Sequence, residues 1–144
     1  MDGTGQVVSD VQPPFVLSMI ICDAVHIDPG TGKAFILGCF SSIGATSFPA
    51  THHKITVFAE VTDCQGRTPF RIRVVDVDEQ HEPVVEAETE SDIPDPLAIT
   101  VLVLNLNGIV FPSQGEYRVQ LFSRDVPIME RRLSLVPHSE EQLA

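Results

Sequence analysis

The sequence predicts an all-β fold, an immunoglobulin-like antiparallel β-sandwich of about eight strands in one domain. Three observations support this prediction. Glycine and proline, with 9 and 11 residues, recur at short intervals along the 144-residue chain. The segments between them alternate apolar and polar side chains with period two, or are continuously apolar, as strands are. Helical spacing is confined to residues 139–144, which are polar and are predicted to fray.

The chain length is that of a single domain. We expect a flexible N-terminal segment at residues 1–14, a β-sandwich domain at residues 15–137 and a C-terminal tail at residues 138–144. The predicted strands are residues 15–27, 34–43, 54–62, 69–76, 84–92, 97–106, 117–123 and 128–136.

The clearest hairpin joins the first two strands. Residues 28–33, Asp-Pro-Gly-Thr-Gly-Lys, have strong turn chemistry. An antiparallel register counted from this turn places Val25 opposite Ile36 and Cys22 opposite Cys39.

The next three strands each have one apolar and one polar face. The apolar faces carry Ile55, Val57, Ala59 and Val61, then Phe70, Ile72 and Val74, then Val85 and Ala87. Matching the last two apolar faces across a loop at residues 78–81 puts Arg73 opposite Glu86 and Arg71 opposite Glu88. An exposed pair of this kind contributes about 0.2–1 kcal/mol, so these pairs set the register more than they stabilise the sheet.

The strand at residues 97–106 is apolar on both faces. One face would carry Leu97, Ile99, Val101 and Val103, and the other Leu102, Leu104 and Leu106. An antiparallel sandwich strand needs only one buried face. We therefore expect Leu102, Leu104 and Leu106 to form an apolar face that a loop or another subunit covers, with Phe58 and Phe122 as outward-facing aromatics.

The last two strands follow a segment that looks like a tyrosine corner. Residues 111–117, Phe-Pro-Ser-Gln-Gly-Glu-Tyr, place Tyr117 at the start of the penultimate strand. In immunoglobulin-like sandwiches a tyrosine at this position bonds to backbone a few residues upstream. This feature favours a sandwich over a closed barrel.

Several segments together resemble a known family. They are Cys-Asp-Ala at residues 22–24, Phe-Ile-Leu-Gly-Cys-Phe-Ser-Ser-Ile at 35–43, Phe-Pro-Ala at 48–50, the strand at 71–78 and Gly-Glu-Tyr at 115–117. Over residues 20–136 the chain resembles an uncharacterised bacterial family of small single-domain β-sandwich proteins. The resemblance implies a fold and a bacterial source, and it carries no activity. The chain departs from the family in the turn after Asp78, where Glu79, Gln80 and His81 stand in place of an expected glycine.

Charge and cysteine usage limit the classes of function. A net charge of -11 opposes binding to nucleic acid or to an anionic membrane, because both require clustered lysine and arginine. The apolar run at 15–27 contains Ser18, Asp23 and His26 and is shorter than the roughly 20 residues of a membrane helix. Residues 1–14 lack the basic start of a secretory signal. Three cysteines without Cys-x-x-Cys spacing indicate reduced thiols, and we expect a cytoplasmic protein.

No arrangement of residues predicts catalysis, a cofactor or a metal site. The calcium-loop interpretation of Asp76, Asp78 and Gln80 fails, because His81 and Ala87 stand where such a loop needs glycine and glutamate. Adjacent histidines at positions 52 and 53 point to opposite sides of an extended chain, so they are poor joint zinc ligands. Cys22 and Cys39 could act as a redox pair, but no basic neighbour in sequence activates them, and we expect an inert core pair.

The remaining candidate surface is a row of carboxylates with period two, formed by Glu86, Glu88, Glu90 and Asp92. It is either a solvated face or edge that blocks unwanted strand pairing, or a docking stripe for a basic partner.

The sequence therefore predicts a non-catalytic binding or structural module, self-associating through an apolar sheet face, with a protein or itself as partner. The alternative is a small metal-dependent binder or enzyme that uses His52, His53, His81 or the cysteines.

Overall fold

Strands form where apolar and polar side chains alternate, because a pleated chain then buries one face and hydrates the other. The computed structural model of the chain describes residues 12–78 and 81–138, and these contain nine strands. The strands are β1 (Phe15–Ile27), β2 (Ala34–Cys39), β3 (Ser42–Ala45), β4 (Ala50–Thr62), β5 (Gly66–Asp76), β6 (Val85–Ile93), β7 (Thr100–Phe111), β8 (Gly115–Ser123) and β9 (Val126–Pro137). Among the described residues, no helix is long and apolar enough to cross a membrane.

The strands form two sheets. One has four strands in the order β2-β1-β4-β7, and the other has five in the order β3-β9-β8-β5-β6. Neighbours are antiparallel except β3 and β9, which pair in parallel. One hydrophobic cluster contains side chains of both sheets, so the inner faces share a core. The predicted all-β, two-sheet fold is confirmed.

The core consists of the apolar positions that the alternation predicts. On β4, Ile55, Val57 and Ala59 are fully buried, and on β5 so is Ile72. The predicted registers are also confirmed: Cys22 pairs with Cys39 across β1 and β2. Pairing of β5 with β6 likewise sets Arg73 opposite Glu86 and Arg71 opposite Glu88.

The predicted strand at residues 34–43 is two strands instead of one. The chain leaves the four-stranded sheet after Cys39 and enters the five-stranded sheet at Ser42. Gly38 has φ 70° just before the crossing, and a Cβ at this position would overlap the carboxylate of Asp23. The apolar pattern runs on through this change of sheet because both halves face apolar neighbours, so it hides the break.

The prediction that Leu102, Leu104 and Leu106 form an outer apolar face, covered by a loop or another subunit, is wrong. All three are buried in the core between the sheets. Pairing with β4 decides this, because Leu104 lies opposite Val57 and points to the same side. The outer face of β7 instead carries Val101 and Val103, which are exposed.

The two aromatics expected to face outward lie outside the core cluster but are covered. Phe58 is only 5% exposed and has Ile20 and Val103 as its cross-strand neighbours. Phe122 is buried beneath the guanidinium groups of Arg71 and Arg73, which lie 4.4 and 4.9 Å from its ring centroid.

The tyrosine corner is present. The hydroxyl of Tyr117 donates to the carbonyl oxygen of Ser113 at 2.7 Å and accepts from the Ser113 N–H at 3.3 Å. Its ring packs edge-on against Phe111, with centroids 5.0 Å apart. The hydroxyl therefore ties the start of β8 to the turn that precedes it.

The first and last strands lie near the two ends of the described residues. β1 begins at Phe15 and β9 ends at Pro137. Most of the predicted N-terminal segment, residues 1–11, and most of the predicted tail, residues 139–144, lie outside the described residues.

We expect Tyr117→Phe to lower the free energy of unfolding by about 1 kcal/mol, because the ring packing remains while the bond to the Ser113 carbonyl is lost. Urea denaturation measures this. Ser113→Ala is the matched control, because it leaves the backbone acceptor in place and should have almost no effect. A Tyr117→Phe variant as stable as wild type would show that the hydroxyl contributes nothing.

We expect Leu104→Ala to cost about 2–5 kcal/mol of stability, because it opens a cavity in the core. Val103→Ala, one residue away on the outer face, should cost less than about 1 kcal/mol. Denaturation of both variants tests the assignment of faces on β7, and an equal or reversed ranking would contradict it.

Candidate functional site

The outer face of the five-stranded sheet is charged. Alternation on β5 places Arg67, Arg71 and Arg73 outward, and alternation on β6 does the same for the predicted acidic row. The four members of that row, Glu86, Glu88, Glu90 and Asp92, are all exposed. β6 is an edge strand, so the acidic row follows a border of the sheet.

The acidic row is partly neutralised by diagonal ion pairs. Arg71 Nη1 lies 3.1 Å from Glu86 Oε2, and Arg67 Nε lies 2.8 Å from Glu90 Oε1. The hydrogen bond to Glu90, followed by its charge, raises the pKa of Arg67. Within the described residues, Glu88 and Asp92 form no hydrogen bond or ion pair, although Asp92 lies opposite Arg67 and its charge also raises the pKa of that arginine, and Glu88 lies opposite Arg71.

A hydrogen-bond network continues across this face. Arg73 Nε donates to Gln120 Oε1 at 2.8 Å, and Gln120 Nε2 donates to Glu130 Oε1 at 2.8 Å. Arg118 donates to Glu130 at 2.6 Å and to Glu116 at 2.9 Å. The bond from Gln120, together with the bond and charge of Arg118, lowers the pKa of Glu130 below its ordinary value.

A cavity of about 500 Å³ opens at the end of this face. Its lining includes the ring of Phe122 and side chains of both charges, among them Arg71, Arg124, Glu88 and Asp125. A site with this lining can hold a polar segment that carries both a cation and an anion, but it does not select for either charge.

The outer face of the four-stranded sheet is different, because a diagonal band of apolar side chains crosses it. Register places Val103, Phe58 and Ile20 in one row across β7, β4 and β1. The band continues along β1 and ends on β2 at Leu37 and Phe35, which are exposed. We call the set Ile20, Cys22, Ala24, Phe35, Leu37, Phe58, Val101 and Val103 the apolar band.

Polar side chains beside the apolar band bond to one another. Ser18 Oγ donates to Glu60 Oε1 at 2.9 Å, and Thr56 Oγ1 donates to Asn105 Oδ1 at 2.8 Å. Groups that are already paired lose less when water is removed from around them. Covering Thr56 and Asn105 therefore costs little, whereas the carboxylate of Glu60 bonds to a neutral hydroxyl and must stay hydrated at the edge of a contact.

The candidate histidines do not come together. His52 lines a cavity of about 360 Å³ at the β2–β3 crossing, which Asp23, Cys39 and Ser42 also line. His53 is exposed beside it. His81 lies at another edge, with its Nδ1 2.7 Å from Asp76 Oδ2.

Nothing in the described residues groups three His, Cys, Asp or Glu side chains closely enough to hold a metal ion. The rejected calcium loop has Asp78 exposed and Asp76 beside His81, and its Gln80 lies outside the described residues.

All three cysteines are free thiols. Cys22 and Cys64 are buried, whereas Cys39 is exposed, so the expectation of an inert core pair is wrong for Cys39. Burial, followed by the nearby Cys39 sulfur, raises the pKa of the Cys22 thiol. Burial also raises the pKa of the Cys64 thiol.

Sequence reasoning missed two sets of residues. Phe35 and Leu37 were not assigned to any surface, although their alternation with Ile36 marks them as facing away from it. The convergence of Asp23 and His52 on one cavity had no sequence signal, because it depends on the crossing of the chain between sheets.

The lowered pKa of Glu130 has a consequence for stability. Its ionised form stabilises the fold fully above the ordinary pKa of 4.5, and this contribution is lost as the pH falls through the lower folded pKa. We expect Glu130→Gln to reduce stability at neutral pH by less than about 1 kcal/mol, because solvent screens this exposed group.

The difference between wild type and Glu130→Gln should shrink as the pH falls below 4.5 and disappear only once the pH is below the lowered folded pKa of Glu130. Denaturation at both pH values measures it. Glu88→Gln, on the same face without a bonded partner, is the control and should match wild type. A stability loss for Glu130→Gln that persists unchanged in acid would show that the charge is not its cause.

Comparison with protein-family models matches residues 17–136 to one described as a family of unknown function (DUF6941). No curated protein matches the chain.

Proposed function

Because the chain belongs to the DUF6941 family of unknown function, which has no activity to transfer, we propose its role from its surfaces. It is a non-catalytic β-sandwich module that binds protein through the apolar band, and the partner is a second copy of the same chain. Two copies pack through the outer faces of their four-stranded sheets.

The observation that supports this proposal most is where apolar side chains are exposed. Among the described residues, the exposed large hydrophobics fall in β1, β2, β7 or the segment leading into β7, with Val77 and Val126 as the exceptions. The apolar band therefore crosses one outer face of the sandwich, beside Glu60, whereas the other outer face is charged. Contiguous apolar surface on one face is typical of interaction sites.

The size of the face fits a stable dimer. The strands β1, β2, β4 and β7 have 13, 6, 13 and 12 residues, and at about 3.3 Å per residue and about 4.8 Å between strands they cover on the order of 700 Å². A specific interface buries about 800 Å² on each partner. Side-chain relief adds to the flat area, so the face is large enough.

The position of the charges, not the net charge, favours a second copy over a basic partner. Two copies with a net charge of -11 each repel one another, so they can meet only through a surface without carboxylates, whereas a basic partner would be drawn to the carboxylates of the other sheet. The apolar band has no charged member and fits an equally uncharged surface. A two-fold axis supplies that surface, because it places the same band on both sides.

Strand order supports an immunoglobulin-like arrangement as part of this proposal. The order β9-β8-β5-β6 corresponds to the sheet of such domains that contains strands C, F and G with one added strand, and Tyr117 lies on the strand equivalent to F. The free cysteines fit a reducing compartment, and we place the protein in the cytoplasm.

The competing function is metal-dependent binding or catalysis that uses His52, His53, His81 or the cysteines, although the described residues do not bring three such side chains together. Metal analysis of the purified protein separates the two proposals. Stoichiometric zinc or calcium would contradict the plain binding module.

Light scattering of wild type and Val103→Asp over a wide concentration range tests self-association. We expect wild type at twice the chain mass of 15.8 kDa. Val103→Asp should weaken dimerisation at least about tenfold, because it places a charge in the apolar band. Circular dichroism should show the variant folded, since Val103 lies on the outer face and is 38% exposed.

Val126→Asp is the matched control, because Val126 is similarly exposed, at 44%, but lies on the five-stranded sheet. It should remain dimeric. A monomeric wild type at every concentration would overturn the proposal, as would dissociation by Val126→Asp but not by Val103→Asp.

A further inference from the structure

The pairing of Cys22 with Cys39 has a geometry that suits a covalent bond. The N–H of Phe40 donates to the carbonyl oxygen of Ile21 at 3.1 Å, a single cross-strand bond beside the opposed Cys22 and Cys39. A bond at this place is the pattern that flanks a non-hydrogen-bonded pair, and Gly38 with φ 70° interrupts the regular alternation that runs from the turn. The Cα atoms of such pairs lie about 4.5 Å apart, within the range that disulfides span.

We propose that Cys22 and Cys39 form a reversible intramolecular disulfide across β1 and β2, so that this hairpin is a thiol-oxidation site. The bond needs no second copy of the chain, because both sulfurs belong to one chain, although Cys22 is also a member of the apolar band.

The two thiols differ in their exposure to solvent, as a two-step oxidation requires. Cys39 is exposed and lines the cavities on both sides of Phe40, so a small oxidant reaches it first. Cys22 has no exposed surface and is reached only through its neighbour. The effect of the Cys39 sulfur on the pKa of Cys22 supports their closeness.

Cys22 must turn toward Cys39 for the bond to form. Its Sγ now donates to the carbonyl oxygen of Thr56 at 3.5 Å. Thiols are weak donors, so little is lost when this contact breaks.

The oxidant is a low-molecular-weight disulfide such as oxidised glutathione. The Cys39 thiolate attacks one sulfur of this disulfide, which forms a mixed disulfide and releases one glutathione thiolate. The Cys22 thiolate then attacks the Cys39 sulfur, which forms the Cys22–Cys39 bond and releases the second glutathione. The two protein thiols lose two protons and two electrons, and the oxidant becomes two thiols.

The bond would link an edge strand to its neighbour just before the chain changes sheet. β2 pairs only with β1 in the four-stranded sheet, and it carries Leu37 and Phe35. Oxidation therefore links the edge strand β2 covalently to β1, and reduction of the disulfide removes this link.

The experiment incubates the folded full-length protein with oxidised glutathione, blocks remaining thiols in denaturant, and digests with trypsin without reduction. Trypsin cuts after Lys33, Lys54 and Arg67, so each cysteine falls in its own peptide. We expect a linked pair of peptides 1–33 and 34–54 whose mass is lower by two hydrogens, with Cys64 blocked as a thiol. Reducing agent should separate the pair.

Cys64→Ala is the control that keeps the pair, and it should give the same linked peptides. Cys22→Ala should instead stop at a mixed disulfide of Cys39 with glutathione. Two results would overturn the proposal: a wild-type protein that keeps the Cys39 mixed disulfide while Cys22 stays free, or a bond between the Cys39 residues of two chains.

Discussion

The register of β4 is the constraint on which the other surfaces depend. This strand lies between β1 and β7, and Val57 has Ile21 on one side and Leu104 on the other. Because side chains alternate between the two faces of a strand, these two pairs together determine which residues of β1, β4 and β7 point into the core. A shift by one residue would bury the apolar band and expose Leu104 with its neighbours, so a single register accounts for both the core and the outer face.

The two outer faces follow different physical rules. On the five-stranded sheet, arginines of β5 meet carboxylates of β6, and such exposed pairs set register while adding little stability. On the four-stranded sheet the apolar band has no charged member, and its polar borders are satisfied internally by the Ser18–Glu60 and Thr56–Asn105 bonds. The charged face keeps the molecule hydrated, and the apolar face is the one that gains from being covered.

The crossing between β2 and β3 joins the sheets and brings unlike residues together. Gly38 allows the chain to pass close to the carboxylate of Asp23, and the crossing opens a cavity that Cys39 and His52 line. The same change of sheet ends β2 at Cys39, so the cysteine pair lies at the last rung of the hairpin. The side chains of Asp23, Cys39 and His52 therefore lie around one cavity at the point where the pairing of β2 with β1 ends.

The sequence by itself determined the fold class, the turn between β1 and β2, the register of the two hairpins and the hydroxyl bond of Tyr117. Each of these features depends on residues that are close together in the chain, or on an alternation of apolar and polar residues that fits only one orientation of the strand. The orientation of β7 was different, because residues 97–106 are apolar on both faces and alternation cannot choose between them. Tertiary pairing with β4 decided it, burying Leu102, Leu104 and Leu106 and leaving Val101 and Val103 outside. The same holds for residues 34–43, whose continuous apolar pattern shows neither the change of sheet after Cys39 nor the exposure of Phe35 and Leu37.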